Sequence, residues 1–149
     1  MPSMASPISH SDQPVQDCQR YLAQVTEEIA GNFHPTTPVW PLLSARSNAV
    51  DNVLTHLWRF YLDQRSDLAL AAVGGYGRGE LYPFSDIDLL ILVTHSPDQE
   101  TAAQISELLR NLWDIGLRGG SSVRTLDGCE TLAREDLTIF TSLLEARCI

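Results

Sequence analysis

Asp86 and Asp88 stand two residues apart immediately before the apolar run Leu89-Leu90-Ile91-Leu92-Val93, just downstream of Val73-Gly74-Gly75-Tyr76-Gly77-Arg78-Gly79-Glu80-Leu81. On an extended strand, residues two apart share a face and lie about 6.6 to 6.8 Å apart along it. The two carboxylates are thus expected side by side, with Ile87 and Leu89 turned to the core. Paired hard oxygen ligands suit Mg²⁺, which binds through one or two carboxylates plus substrate phosphates. Two such ions about 3.5 to 4 Å apart clamp the attacking and leaving oxygens of a displacement at phosphorus. A solvated DxD turn is the plainer account, but Asp88 leads straight into an apolar strand, where an unpartnered carboxylate is costly.

The glycines supply the complementary half. Gly74, Gly75, Gly77 and Gly79 let the backbone approach a ligand and aim N–H groups at a triphosphate. Arg78 can add a bidentate phosphate contact, and Ser85 adjoins the carboxylates as a further candidate for nucleotide binding. The spacing is neither GxGxxG, because Glu80 interrupts it, nor a GxxxxGK[ST] loop. Glycine turn and carboxylate pair together point to nucleotidyl transfer.

Elements that could position these groups follow from periodicity. Residues 1–14, rich in Pro and Ser, are expected to form a disordered arm, 15–66 a helical segment, and 67–149 the core that carries the chemistry. Val15, Cys18, Leu22, Val25 and Ile29 recur at helical spacing up to Gly31. Pro35, Pro38 and Pro41 suggest an extended connection to a second helix bearing Val50, Val53, Leu57 and Tyr61. Strands are expected at Leu68–Val73 and Asp86–Val93. A helix is expected from a Ser96 cap to about Trp113, with Trp58 and Trp113 in the core. Asp114–Leu117 and Ser121–Leu126 read as strand or turn, Asp127–Glu130 as a capping box, and Asp136 as the cap of a last helix through Leu143, Leu144 and Ala146. The fold class is α/β (α+β), a small mixed sheet flanked by helices. The end at Ile149, without a Gly or Pro stop, makes the chain read as cut short.

Composition narrows the partners. The 149 residues carry a net charge of −9, a field that opposes polyanions, so nucleic acid is not expected as the partner. A nucleotide still fits, because a local Arg and a metal ion override the global sign. Cys18, Cys129 and Cys148 show no metal or disulfide spacing, which suits a reducing cytoplasm, and neither a signal peptide nor a membrane-spanning run is visible.

Gly-Gly-Tyr-Gly-Arg-Gly-Glu-Leu followed by Ser-Asp-Ile-Asp-Leu-Leu-Ile-Leu closely resembles the nucleotidyltransferase domain of bacterial PII uridylyltransferase/uridylyl-removing enzymes, within the DNA polymerase beta-like superfamily. The resemblance continues through Leu112-Trp113-Asp114, Ser122-Val123-Arg124-Thr125-Leu126 and Asp136-Leu137-Thr138. It implies transfer of UMP from UTP to a tyrosine of the signal protein PII in nitrogen regulation, with Mg²⁺ at Asp86 and Asp88 and triphosphate at the glycine turn. It further implies a third carboxylate from a neighbouring strand. Asp114 is the candidate by position, and equally a surface residue at a helix end. Arg118 and Ser121 replace an acidic residue and a His of the family pattern. None of His10, His34, His56 and His95 is followed by Asp, so no HD hydrolase site, and hence no uridylyl removal, is expected. The alternatives are a nucleotidyltransferase for another protein or small molecule, or an inactive nucleotide-binding remnant.

Overall fold

The computed structural model describes residues 7–8, 11–63 and 65–149. The arm expected over residues 1–14 lies largely outside them, although Ile8 packs on the core and Ser11 donates a hydrogen bond to Asp17. The elements run α1 (Pro14–Gly31), α2 (Val39–Leu62), β1 (Leu68–Val73), α3 (Gly74–Gly77), β2 (Asp88–Val93), α4 (Gln99–Ile115), β3 (Ser121–Thr125), α5 (Leu126–Glu135), α6 (Leu137–Leu144) and β4 (Arg147–Cys148). No described helix is long and apolar enough to cross a membrane.

The strands form one mixed sheet in the order β3-β2-β1-β4. β1 pairs antiparallel with β2 and β4, and β2 pairs parallel with β3. A parallel neighbour needs a crossover, which α4 supplies. Alternation along the strands divides the side chains between two cores. Leu70, Ala72, Leu89, Ile91 and Val93 join Cys18, Val50, Val53, Leu57, Ile105 and Leu108 of α1, α2 and α4. Ala71 and Leu90 turn the other way, toward Cys129 of α5 and, at its margin, Leu143 of α6. The sheet therefore lies between two helical layers, the mixed α/β architecture read from the sequence.

Several boundaries differ from expectation for local reasons. α2 begins at Val39 and takes Pro41 into its first turn, where a missing N–H costs no helical bond. α4 starts later than a Ser96 cap implies, because the Asp98 carboxylate accepts the Thr101 N–H at 2.8 Å and forms the cap. Its last turn includes Asp114 and Ile115 and closes on Gly116 at φ 94°. Gly116 N–H donates to Trp113 O and Leu117 N–H to Leu112 O, both at 2.9 Å, so Asp114–Leu117 is a helix end rather than a strand. Trp113 is 61% exposed, not core, since the buried stripe of α4 runs through Ile105, Leu108 and Leu112. Thr125, not Asp127, caps α5 by accepting the Gly128 N–H. Asp136 caps α6 as expected, but that helix stops at Leu144 and the chain continues into β4.

Candidate active site

β2 begins at Asp88, so Asp86 precedes the strand instead of lying within it. The extended register nevertheless reaches back, because Ile87 N–H donates to Arg118 O and Leu89 N–H to Gly120 O, both at 2.9 Å. Ile87 and Leu89 are buried while Asp86 and Asp88 are exposed, the alternation that the carboxylate pair requires.

Two glycines enclose the Asp88 carboxylate. A Cβ on Gly74 would stand 3.4 Å from Oδ2, and one on Gly120 would stand 3.1 Å from Oδ1. The Gly120 N–H donates to Oδ1 at 3.3 Å. Gly74 can occupy this place because its φ of 60° lies in the left-handed region, where a side chain would be strained. Register pairing of Val73 with Asp88 brings the glycine turn directly beside the carboxylate. Gly119 permits the close approach from the other side: a Cβ there would meet Ile87 O at 1.6 Å.

An open cavity of about 340 Å³ lies on this face, lined by Asp88, Ser122, Arg124, Thr138 and Ser142 among others; Asp86 is not part of its lining. Ser122 and Arg124 pair in register with Leu90 and Leu92, hence they share the face to which Asp88 belongs. Arg124 makes no hydrogen bond or ion pair among the described residues. It is therefore available to an anion in the cavity. Thr138 and Ser142 come from α6, and nothing in the sequence spacing connects them to the carboxylates.

The glycine turn is a single helical turn, α3. Arg78 N–H donates to Gly74 O at 3.2 Å, and Glu80 N–H to Gly75 O at 3.0 Å. Its members are not equivalent. Gly77 is buried, and a Cβ there would stand 2.2 Å from Glu145 O, so its smallness serves packing against the α6–β4 junction. Gly79, at φ 74°, ends the turn. The Arg78 guanidinium is held by Glu80 at 3.0 Å and Glu145 at 2.6 Å, and these carboxylates raise its pKa. Ser85 is exposed, and its N–H donates to Tyr82 O at 3.1 Å.

Tyr76 anchors the turn. Its side chain is 2% exposed and its hydroxyl donates to Asp51 Oδ1 of α2 at 2.5 Å. Burial, then the Asp51 contact, push its pKa well above the usual tyrosine range. Arg147 of β4 donates to both Asp51 oxygens and lies 5.5 Å from the Tyr76 ring centroid.

Asp114 is not brought to this group. It is exposed on α4, the helix that covers the opposite sheet face, and its backbone carbonyl accepts from Gln19 Nε2 of α1 at 3.0 Å. Among the described residues, no cluster of three or more His, Cys, Asp or Glu is placed to hold a metal. The donor set is then a pair of carboxylates, and its fit to a hard divalent ion rests on the open, glycine-walled space around Asp88.

Residues 54–124 match the nucleotidyltransferase domain family. The chain is 43% identical over 135 residues to the bifunctional uridylyltransferase/uridylyl-removing enzyme of Photobacterium profundum, covering 90% of this chain and 15% of that protein. It is 44% identical over 137 residues to that of Pseudomonas putida, covering 91% and 15%. With that of Vibrio vulnificus it shares 39% identity over 150 residues, covering 97% and 17%. The chain thus spans about one-sixth of the length of these relatives. The family match contains the glycine turn, both carboxylates and Arg124, and ends before α5.

Proposed function

We propose that this chain, whose residues 54–124 match the nucleotidyltransferase domain family, transfers UMP from Mg²⁺-bound UTP to a tyrosine hydroxyl of the signal protein PII in the cytoplasm. The observation that carries this reading is the Asp88 carboxylate, held between Gly74 and Gly120 at the rim of a cavity that also presents Arg124. The similarity to uridylyltransferases supports a uridylyl donor; PII as acceptor is what the sequence resemblance implies.

Asp86 and Asp88 would hold the Mg²⁺, assisted by phosphate oxygens of the nucleotide. Bound there, the ion supplies Lewis-acid neutralisation of charge at the transferring phosphorus. The remaining work falls to the chain. Gly120 N–H fixes one Asp88 oxygen, leaving Oδ2 directed toward Gly74. Gly74 and Gly75 let the phosphates come close to the backbone. Arg124 places a permanent cation on the same face and offsets negative charge that grows toward pyrophosphate. The tyrosine oxygen bonds to the α-phosphorus as the bond to the β-phosphate bridging oxygen breaks, and the phenolic proton passes to solvent.

The test is incorporation of labelled UMP into PII with Mg²⁺ and UTP. Labelling by the wild-type chain, abolished in Asp86→Asn/Asp88→Asn, is expected. Labelling that survives the double substitution would overturn the assignment.

A further inference from the structure

Phe84 lies in the turn between α3 and β2, two residues before Asp86. The turn closes through Ser85 N–H to Tyr82 O at 3.1 Å, with Pro83 and Phe84 as its central residues. Phe84 has φ 64°, a left-handed backbone that this turn position ordinarily assigns to Gly or Asn. It is the positive-φ residue other than glycine among those described. Its side chain is also 99% exposed, so no packing offsets either the backbone conformation or the hydration of the ring. Local geometry would be better served by glycine, and the core gains nothing from phenylalanine. A strained, unburied side chain beside a reactive pair argues for contact with a ligand.

The chemistry of the ring and its position identify the ligand. Four residues of chain span at most about 14 Å, so Phe84 stays within a nucleotide's reach of Asp88. A neutral aromatic face attracts a nucleobase by stacking and is indifferent to the chain's net charge of −9. We propose that Phe84 is the base-stacking residue of this site, its phenyl ring forming the face against which the base of the bound nucleoside triphosphate lies. This rests on the nucleotide site proposed above and deepens it. Because every base has a π-face, Phe84 contributes affinity without choosing among bases.

The test is calorimetric titration of the whole chain in Mg²⁺ with UTP, ATP and inorganic tripolyphosphate, which lacks a base. Phe84→Ala is expected to weaken UTP and ATP by about fivefold or more and to leave tripolyphosphate unchanged, while Phe84→Trp retains nucleotide binding. Phe84→Gly should lose the same nucleotide affinity yet melt at a higher temperature, which separates lost stacking from lost folding. UTP affinity unchanged in Phe84→Ala, or tripolyphosphate weakened as much as UTP, would overturn the inference. So would an effect confined to binding of the acceptor protein. If wild type binds neither UTP nor tripolyphosphate, the nucleotide site itself fails, and the stacking role fails with it.

Discussion

Arg147 donates from Nη1 and Nη2 to the two oxygens of Asp51 at 2.7 and 3.1 Å, joining the last strand to the second helix across a sequence separation of 96 residues. The same carboxylate receives the Tyr76 hydroxyl, so α2, β4 and the glycine turn meet at one group. Asp51 thereby holds α3 in place without touching the cavity. Asp51→Ala leaves a buried phenol and a half-buried guanidinium without their acceptor, at a cost of about 2 kcal/mol. A melting temperature lowered by several degrees is expected, measured by calorimetry, with a similar loss in Arg147→Ala.

The two arginines near the site should behave differently. Arg78 is engaged by Glu80 and Glu145, whereas Arg124 makes no ion pair among the described residues and lines the Asp88 cavity. Arg124→Ala is expected to weaken tripolyphosphate binding about tenfold, as loss of a charge-assisted contact does. Arg78→Ala should weaken it less and lower thermal stability more. The reverse ranking would return the phosphate contact to Arg78.

Glycines around the site divide by what a methyl group would strike. Gly119→Ala and Gly77→Ala drive a Cβ to 1.6 and 2.2 Å from backbone oxygens of Ile87 and Glu145, which cannot yield. Both variants should fail to melt cooperatively. Gly120→Ala meets only the Asp88 carboxylate, at 3.1 Å, so the fold should persist while metal affinity falls about tenfold, the loss typical of a disturbed ligand support.

Acid sensitivity has an identifiable contributor at the start of β1. Two hydrogen bonds from Arg65, each 2.9 Å, hold the Asp67 carboxyl down at about 2, below its ordinary 3.8. The folded value is the lower one, so the stabilisation is present above about pH 4 and disappears as pH falls toward 2. Thermal melts between pH 6 and pH 2.5 should therefore show a shallower decline for Asp67→Asn than for wild type.

Periodicity made the helical layers and the two central strands legible, because apolar stripes and alternation report directly on which face is buried. Asp88 and its buried neighbours Ile87 and Leu89 were equally plain, since the strand places them by parity. Boundaries were less so. Ser96-Pro97 imitates a helix start, but Asp98 supplies the stronger acceptor for the Thr101 N–H. Trp113 fits a broad apolar stripe, yet its neighbour Leu112 takes the buried position. The Asp51–Tyr76–Arg147 network had no local signal, because its members are joined only by the folded sheet. In the sequence Arg124 stands as one member of the Ser122–Leu126 run, and it is the register of β3 with β2 that gives it a place on the Asp88 face. Asp114 matches the third carboxylate by position alone, and α4, which carries it, packs with α1 and α2 on the opposite face of the sheet.

Divalent-ion binding by the carboxylate pair is the centre of the account, and Mn²⁺ provides a spectroscopic probe for it. Titration of Mn²⁺ with UTP, followed by electron paramagnetic resonance, should show stoichiometric binding by the wild-type chain. Asp86→Asn/Asp88→Asn should lose at least about tenfold in affinity, the loss that even an outer-shell partner produces, while melting cooperatively. Equal Mn²⁺ affinity in the folded double variant and in wild type would contradict the assignment.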